Sequence, residues 1–345
     1  MKTILIGGDF GNIPKSSSVI NKLSKFFDDV DIKNGGTLDD LKINLDGFSL
    51  VIWSPNIDNE IDKQYPKKEK GSVLICTKVL RENRNYGDAV ARIFKMNANA
   101  VITIESSSKP FKFQLIDALG NLWCDTSDLS VLSKSIKDFF SWSKGAIRID
   151  SIKTDFNITK PNQTLISFCD IIKNVADKVE NERGGRYFGN ASTRCSKMFP
   201  SLRTEDDFLV SGRNIPKDRI SIDDFVFVKL GDEVDTVGKV IYSGNRKPSV
   251  DTPIQLVLYR KYLNINFMIH GHAYIDGVDF TKHYFPCGDL RECEELLNKF
   301  PSDNKSFILN LKNHGFIIAT DTIEKIKEIV NNSKFIYRNI GKESI

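Results

Sequence analysis

Four short apolar runs constrain the first third of this chain: "TILIGGD" (3–9), "SLVIWSP" (49–55), "SVLICTKVL" (72–80) and "NAVITIES" (99–106). In each run nearly every position is apolar, rather than every second one. A strand of that kind needs both of its faces covered, as in a mostly parallel sheet with helices on either side. The stretch "YGDAVARIFKMN" (86–97) has helical spacing and falls between two of the runs. Next, "FKFQLIDALGNLWCDT" (111–126) reads as two antiparallel strands about an "ALGN" turn, and "DLSVLSKSIKDFFSWSK" (128–144) reads as a closing helix. These residues predict a Rossmann-like α/β domain over 1–150.

The chain has 345 residues, which leaves room for a second domain. The segment "GAIRIDSIKTDFNITKPNQ" (145–163) lacks helical periodicity and contains the boundary, and a second domain is placed at 160–345. That domain opens with an amphipathic helix, 164–182. Strand patterns follow at "DFLVSG", "DFVFVKLG" and "TVGKVIYSG", then a helix over 251–263 and the strand "INFMIHGHAYI". A helix over 290–300, the strand "GFIIAT" and a last helix over 321–333 complete it.

Composition narrows the function classes. Hydrophobic residues are 40% and charged residues 27%, with a net charge of +4. This balance fits a soluble globular protein and carries no basic footprint for nucleic acid, since "YPKKEKGS" (65–72) is only a short cluster. No apolar run has the length of a membrane span, and the N-terminus lacks a leader's apolar core and cleavage site. The six cysteines (76, 124, 169, 195, 287 and 293) are scattered without a CxxC, which suits buried thiols and a cytoplasmic location.

Two of the four histidines stand one residue apart in "FMIHGHAYIDG" (267–277). On a strand, residues i and i+2 share a face, so His270 and His272 are expected side by side. Two imidazoles can share an ion if a third imidazole or a carboxylate joins them. The alternative is one buried and one surface histidine.

The surroundings bear on that choice. In order along the chain come "GNASTR" (189–194), "FLVSGRN" (208–214), "PSVDTP" (248–253), His-x-His and "NHGF" (313–316). This ordered set, over about 163–335, resembles the class II aldolase/adducin family. The resemblance implies an α/β domain with a mainly antiparallel central sheet. It implies zinc or another divalent metal held by His270, His272 and His314. It makes Asp251 the catalytic acid/base and a further metal contact, since aldolases have a Glu there and ribulose-phosphate 4-epimerases an Asp in a Ser-Asp-Thr-Pro setting. The expected chemistry is a lyase reaction on a small sugar-phosphate-like substrate through a metal-stabilised enediolate. The alternatives are epimerisation of such a sugar phosphate, or a non-catalytic adducin-like scaffold. A homo-oligomer, by family resemblance a tetramer, is also implied.

The family's phosphate loops map onto Gly189 and Asn190, onto Ser211 and Gly212, and onto Ser249. Val250 replaces a second serine at the last of these, which removes one hydroxyl donor. Each loop taken alone also reads as a plain turn. Arg183 and Arg186 in "RGGRYFGN" are candidates for an anionic substrate, and His283 and Tyr284 in "FTKHYFPCGD" are candidates for a second proton donor. In the first domain, "IGGDFGN" (6–12) departs from G-x-G-x-x-G, and "WSPNIDNE" (53–60) is a candidate ligand loop only by its position after a strand. That domain's role is left open.

Overall fold

The structure is a computed structural model that describes residues 1–7, 18–34, 43–54, 71–80, 86–105, 107–144, 150–154, 163–198, 207–229 and 239–343. The candidate loops at 8–12 and 55–60 and the basic cluster at 65–70 lie outside the described residues. The chain forms two compact units. Met1–Gly145 and Asn339–Ile345 make the first, and Ala146–Arg338 the second.

In the first unit, β1 (Thr3–Gly7), β2 (Val30–Asn34), β3 (Leu50–Trp53), β4 (Val73–Leu80), β5 (Ala100–Glu105), β6 (Lys112–Asp117) and β7 (Leu122–Thr126) form one sheet in the order β2-β1-β3-β4-β5-β6-β7. The first five strands pair in parallel, while β6 and β7 add antiparallel at one edge. The expected parallel sheet and the hairpin about "ALGN" are both present.

Strand alternation explains the continuous apolar runs. Ile4 and Ile6, with Leu74 and Cys76, pack against Ala89, Val90 and Ile93 of the helix Tyr86–Lys95. Their neighbours Leu5, Val73 and Ile75 pack on the other face with Leu132, Ile136 and Phe139 of the helix Leu129–Lys144. Both faces are covered over most of these strands, which is why the runs are apolar at nearly every position. The chain end also belongs to this unit, whereas the sequence pattern ran the second domain to residue 345. Gly341 N donates to Gly120 O at 2.7 Å, Leu122 N donates to Glu343 O at 2.9 Å, and Ile340 packs against the first core.

The second unit contains β8 (Asp150–Lys153), β9 (Glu182–Arg183), β10 (Arg186–Tyr187), β11 (Asn190–Arg194), β12 (Phe208–Ser211), β13 (Phe225–Lys229), β14 (Lys239–Ser243), β15 (Phe267–Gly271), β16 (Ala273–Ile275), β17 (Ser306–Leu311), β18 (Gly315–Thr320) and β19 (Phe335–Tyr337). Its central sheet runs β17-β18-β15-β11-β12-β13-β14-β8, antiparallel throughout except for the edge pair β14 and β8. That is the mixed α/β fold with a mainly antiparallel sheet that the resemblance implied. Strand β8 falls within the segment that lacked helical periodicity. The helices Gln163–Ala176 and Ile323–Asn332 cover one face, against Ala191, Leu209, Ile269 and Ile318. Two others, Thr252–Lys261 and Arg291–Lys299, lie over the opposite face, against Val210, Met268, Ile317 and Ala319. No helix among the described residues is long and apolar enough to cross a membrane.

Candidate metal centre and surrounding polar site

The site is assembled by β15 and its two neighbours, β11 and β18. His270 is the fourth residue of β15, paired with Asn190 of β11 on one side and Ile317 of β18 on the other. His272 follows directly, and His314 sits in the tight turn between β17 and β18, where it donates its amide to Leu311 O. Asn313, at φ 54°, turns the chain there in the left-handed region that Asn tolerates. Gly315 must then slip past β15, because a Cβ on it would stand 2.0 Å from Gly271 O. Gly189 meets β15 from the other side: its φ is +70°, and a Cβ would lie 2.6 Å from His270 O. Two of the motif glycines therefore mark close backbone approaches to the strand that carries the histidines.

The three histidines converge. Ring centroids are 5.2 Å apart for His270 and His272, 4.7 Å for His270 and His314, and 5.3 Å for His272 and His314. One nitrogen from each lies within 4.8 Å of the others, and all three residues are buried. Asp251, Cys287 and His314 form a second such group that shares His314.

Hydrogen bonds fix how the rings are presented. His270 Nδ1 donates to Phe316 O at 2.8 Å, which leaves the Nε2 lone pair facing inward. That Nε2 is buried and has no hydrogen-bond partner among the described residues. His314 Nδ1 lies 3.1 Å from Glu292 Oε2, so a carboxylate there orients this ring too. The face of His272 stacks on Phe188 at 4.8 Å. Burial, reinforced by the neighbouring imidazoles, holds His270 and His272 below the ordinary histidine range, most strongly at His272. Both are thus neutral and able to offer a lone pair. Burial also pushes the Glu292 carboxyl up to about 8. A divalent ion shared by the histidines would offset that cost and favour the carboxylate.

Asp251 stands at the start of the helix Thr252–Lys261 but does not cap it with its side chain. Instead its Oδ2 accepts from Asn190 Nδ2 at 2.9 Å, while Oδ1 is buried without a hydrogen-bond partner among the described residues. Gln255, one turn on, donates to Asn190 Oδ1. Asn190, Asp251, Gln255, His270, Glu292 and His314 share the lining of a cavity of about 20 Å³.

The donor set fits a divalent ion of zinc's kind: neutral imidazoles, oriented from behind by a carbonyl and a carboxylate, with an uncompensated buried nitrogen at the centre. A buried polar atom without a partner costs free energy, and an ion held by His270 would remove that cost.

The remaining predicted residues fall around this cluster. Ser211 Oγ accepts from Ala191 N at 3.1 Å, and Gly212 N donates to Asp224 O at 2.8 Å, so that amide is already used. Ser249 Oγ accepts from Asp251 N at 3.4 Å, while the neighbouring Val250 is 45% exposed. Arg183 pairs with Glu180. Arg213 feels both the Asp251 carboxylate and the Arg186 charge, and its burial lowers its pKa. His283 is exposed and pairs with Glu295, whereas Tyr284 is buried; neither lines the cavity.

Other members of the motifs are structural. Arg194 of "GNASTR" is buried and donates to the carbonyls of Ile265, Tyr262 and Tyr259, closing the end of the helix that starts after Asp251. Ser192 Oγ meets Tyr259 OH at 3.0 Å. One strand segment thus supplies Asn190 to the site and docks the helix that follows Asp251.

Glu292, Gln255 and Cys287 were not singled out from the sequence. Glu292 hides in the acidic run "ECEELL", where helical periodicity alone does not tell a buried carboxylate from a solvated one.

Residues 180–275 match the family model described as the Class II Aldolase and Adducin N-terminal domain. The second unit therefore carries a domain of the class II aldolase/adducin family. The match includes Asn190, Asp251, His270 and His272 and ends before His314, which the fold brings back to them. Among solved structures, the chain is similar to an L-fuculose 1-phosphate aldolase, at 17% identity over 49% of this chain and 80% of that one, with a TM-score of 0.35. It is also similar to YgbL from Escherichia coli (16% identity, 49% and 84% covered, TM-score 0.35). A third is L-fuculose-1-phosphate aldolase from Thermus thermophilus (12% identity, 48% and 87% covered, TM-score 0.32).

Proposed function

We propose that the second unit is a metal-dependent aldolase-type lyase acting on a small sugar-phosphate-like substrate. The convergence of three buried imidazoles beside a partly unpartnered Asp251 carboxylate that does not cap its helix carries this reading. His270, His272 and His314 would hold zinc or a similar divalent ion, which when bound supplies a Lewis acid for charge developing on a carbonyl beside the reacting carbon. The chain's own residues do the rest. Phe316 O and Glu292 fix the ring orientations before substrate arrives. Asn190 holds Asp251 by one oxygen and leaves the other to move a proton at the substrate carbon. The Ser211 and Ser249 hydroxyls, the Gly189 loop and the Arg213 charge form the side on which a substrate phosphate is expected.

The test combines metal analysis with turnover. The full chain is expected to bind one divalent ion and to cleave one of a panel of ketose 1-phosphates with release of an aldehyde. His270→Ala is expected to lose the ion. Asp251→Asn is expected to keep it and lose about 10²–10⁴ in rate. A chain that binds no ion, or a loaded one that turns over none of the panel, would overturn the reading. Because residue 251 is Asp rather than Glu, epimerisation is the second reading. Formation of a stereoisomer without aldehyde release would select it.

A further inference from the structure

We propose that Cys287 is itself a ligand of this centre, making it a site of three imidazoles and one thiolate; the proposal rests on the metal-binding reading above. Cys287 Sγ lies 3.4 Å from His314 Nε2, the nitrogen opposite the one held by Glu292. It is also grouped with Asp251 and His314, ligand atoms within 4.8 Å of one another. The two groups share His314, and Cys287 is grouped with Asp251 rather than with His270 and His272.

The position of Cys287 is built in. Asp289 N donates to Pro286 O at 3.1 Å, closing a turn around the cysteine, and Glu292 N donates to Asp289 O at 3.1 Å. The buried Asp289 side chain accepts from Arg291 N and Nε, both at 3.0 Å, and so anchors the turn to the following helix. One continuous segment therefore presents Cys287 to one nitrogen of His314 and Glu292 to the other. Four of the other five cysteines differ, while Cys124 is half-buried. Cys76, Cys169, Cys195 and Cys293 are buried in apolar cores, where desolvation pushes their thiols up.

A thiolate changes what the centre prefers. Sulfur is a soft donor that favours zinc and cobalt, whereas magnesium and calcium prefer oxygen. Ligation replaces the S–H proton, which leaves to solvent. If Cys287 only hydrogen-bonds His314, it instead competes with the ion for Nε2, and its removal would tighten binding.

Loading the full chain with one equivalent of Co²⁺ separates these cases. The expected result is a near-ultraviolet thiolate-to-cobalt charge-transfer band in the wild type. Cys287→Ser is expected to lose that band while retaining cobalt through the imidazoles. Its zinc affinity, from competition with a chromophoric chelator, is expected to fall at least about tenfold, with Cys287→Ala behaving alike. Stoichiometric cobalt without the band, or unchanged or tighter zinc binding in the variants, overturns Cys287 as a ligand and leaves the three-histidine site standing. A wild type that binds neither cobalt nor zinc overturns both.

Discussion

At the scale of single residues, this site depends on what stands behind the candidate ligands. His314 is held at Nδ1 by Glu292 and His270 at Nδ1 by Phe316 O, so each ring turns its Nε2 inward. Replacing Glu292 by leucine would leave His314 Nδ1 without its acceptor in a buried setting. Zinc affinity is expected to fall about 10–100-fold, read by chelator competition, with the fold retained by circular dichroism. The three histidines stood out as candidate ligands because His-x-His and Asn-His-Gly are chemically distinctive. Glu292 was not, because nothing in "ECEELL" tells which acid faces inward. Gln255 was hidden for the same reason.

At the scale of elements, β15 is the central part. It carries two buried, neutral imidazoles at its end, flanked by β11 and β18. The folded pKa values of His270 and His272 are lowered from 6.5, chiefly by burial. As the pH falls below about 6.5, the unfolded chain takes up protons that the folded metal-free protein resists. Stability linked to these groups is therefore present above that pH and lost below it. Thermal unfolding of metal-stripped protein is expected to show a lower Tm at pH 5.5 than at pH 7.5, and the His270→Asn variant a smaller difference between the two. The helix Thr252–Lys261 shows how motif residues divide their work. Asp251 at its start faces the site, while Arg194 closes its end with bonds to Tyr259 O and Tyr262 O. Strands β12, β13, β14, β15 and β18 and the four covering helices followed from the sequence patterns, whereas β8, β11 and β17 did not. The docking of that helix by Arg194 did not, because an arginine in a strand pattern reads equally well as surface.

At the scale of the whole molecule, the chain is two units whose sequence boundaries are not simple cuts. The last residues belong to the first unit through Gly341, Glu343 and Ile340. A chain ending at Arg338 would lose two backbone hydrogen bonds and the apolar contact of Ile340. The first unit is then expected to lose about 2–4 kcal/mol of stability, measured by urea unfolding followed at Trp123, while the second unit's metal binding stays unchanged.

Local chemistry set most of what sequence alone determined. The continuous apolar runs required a parallel sheet covered on both faces, and the ordered motifs marked the second unit's family and three candidate ligands. Those features are short-range, because periodicity and motif chemistry need only neighbouring residues. Tertiary structure decided the rest. It returned the chain end to the first sheet, brought His314 back to β15 from a turn far along the chain, and set Glu292 and Cys287 on the two nitrogens of that ring. Burial and long-range contact are properties of the packed chain, so which acid is desolvated and which thiol faces an imidazole exist only once the sheet has formed.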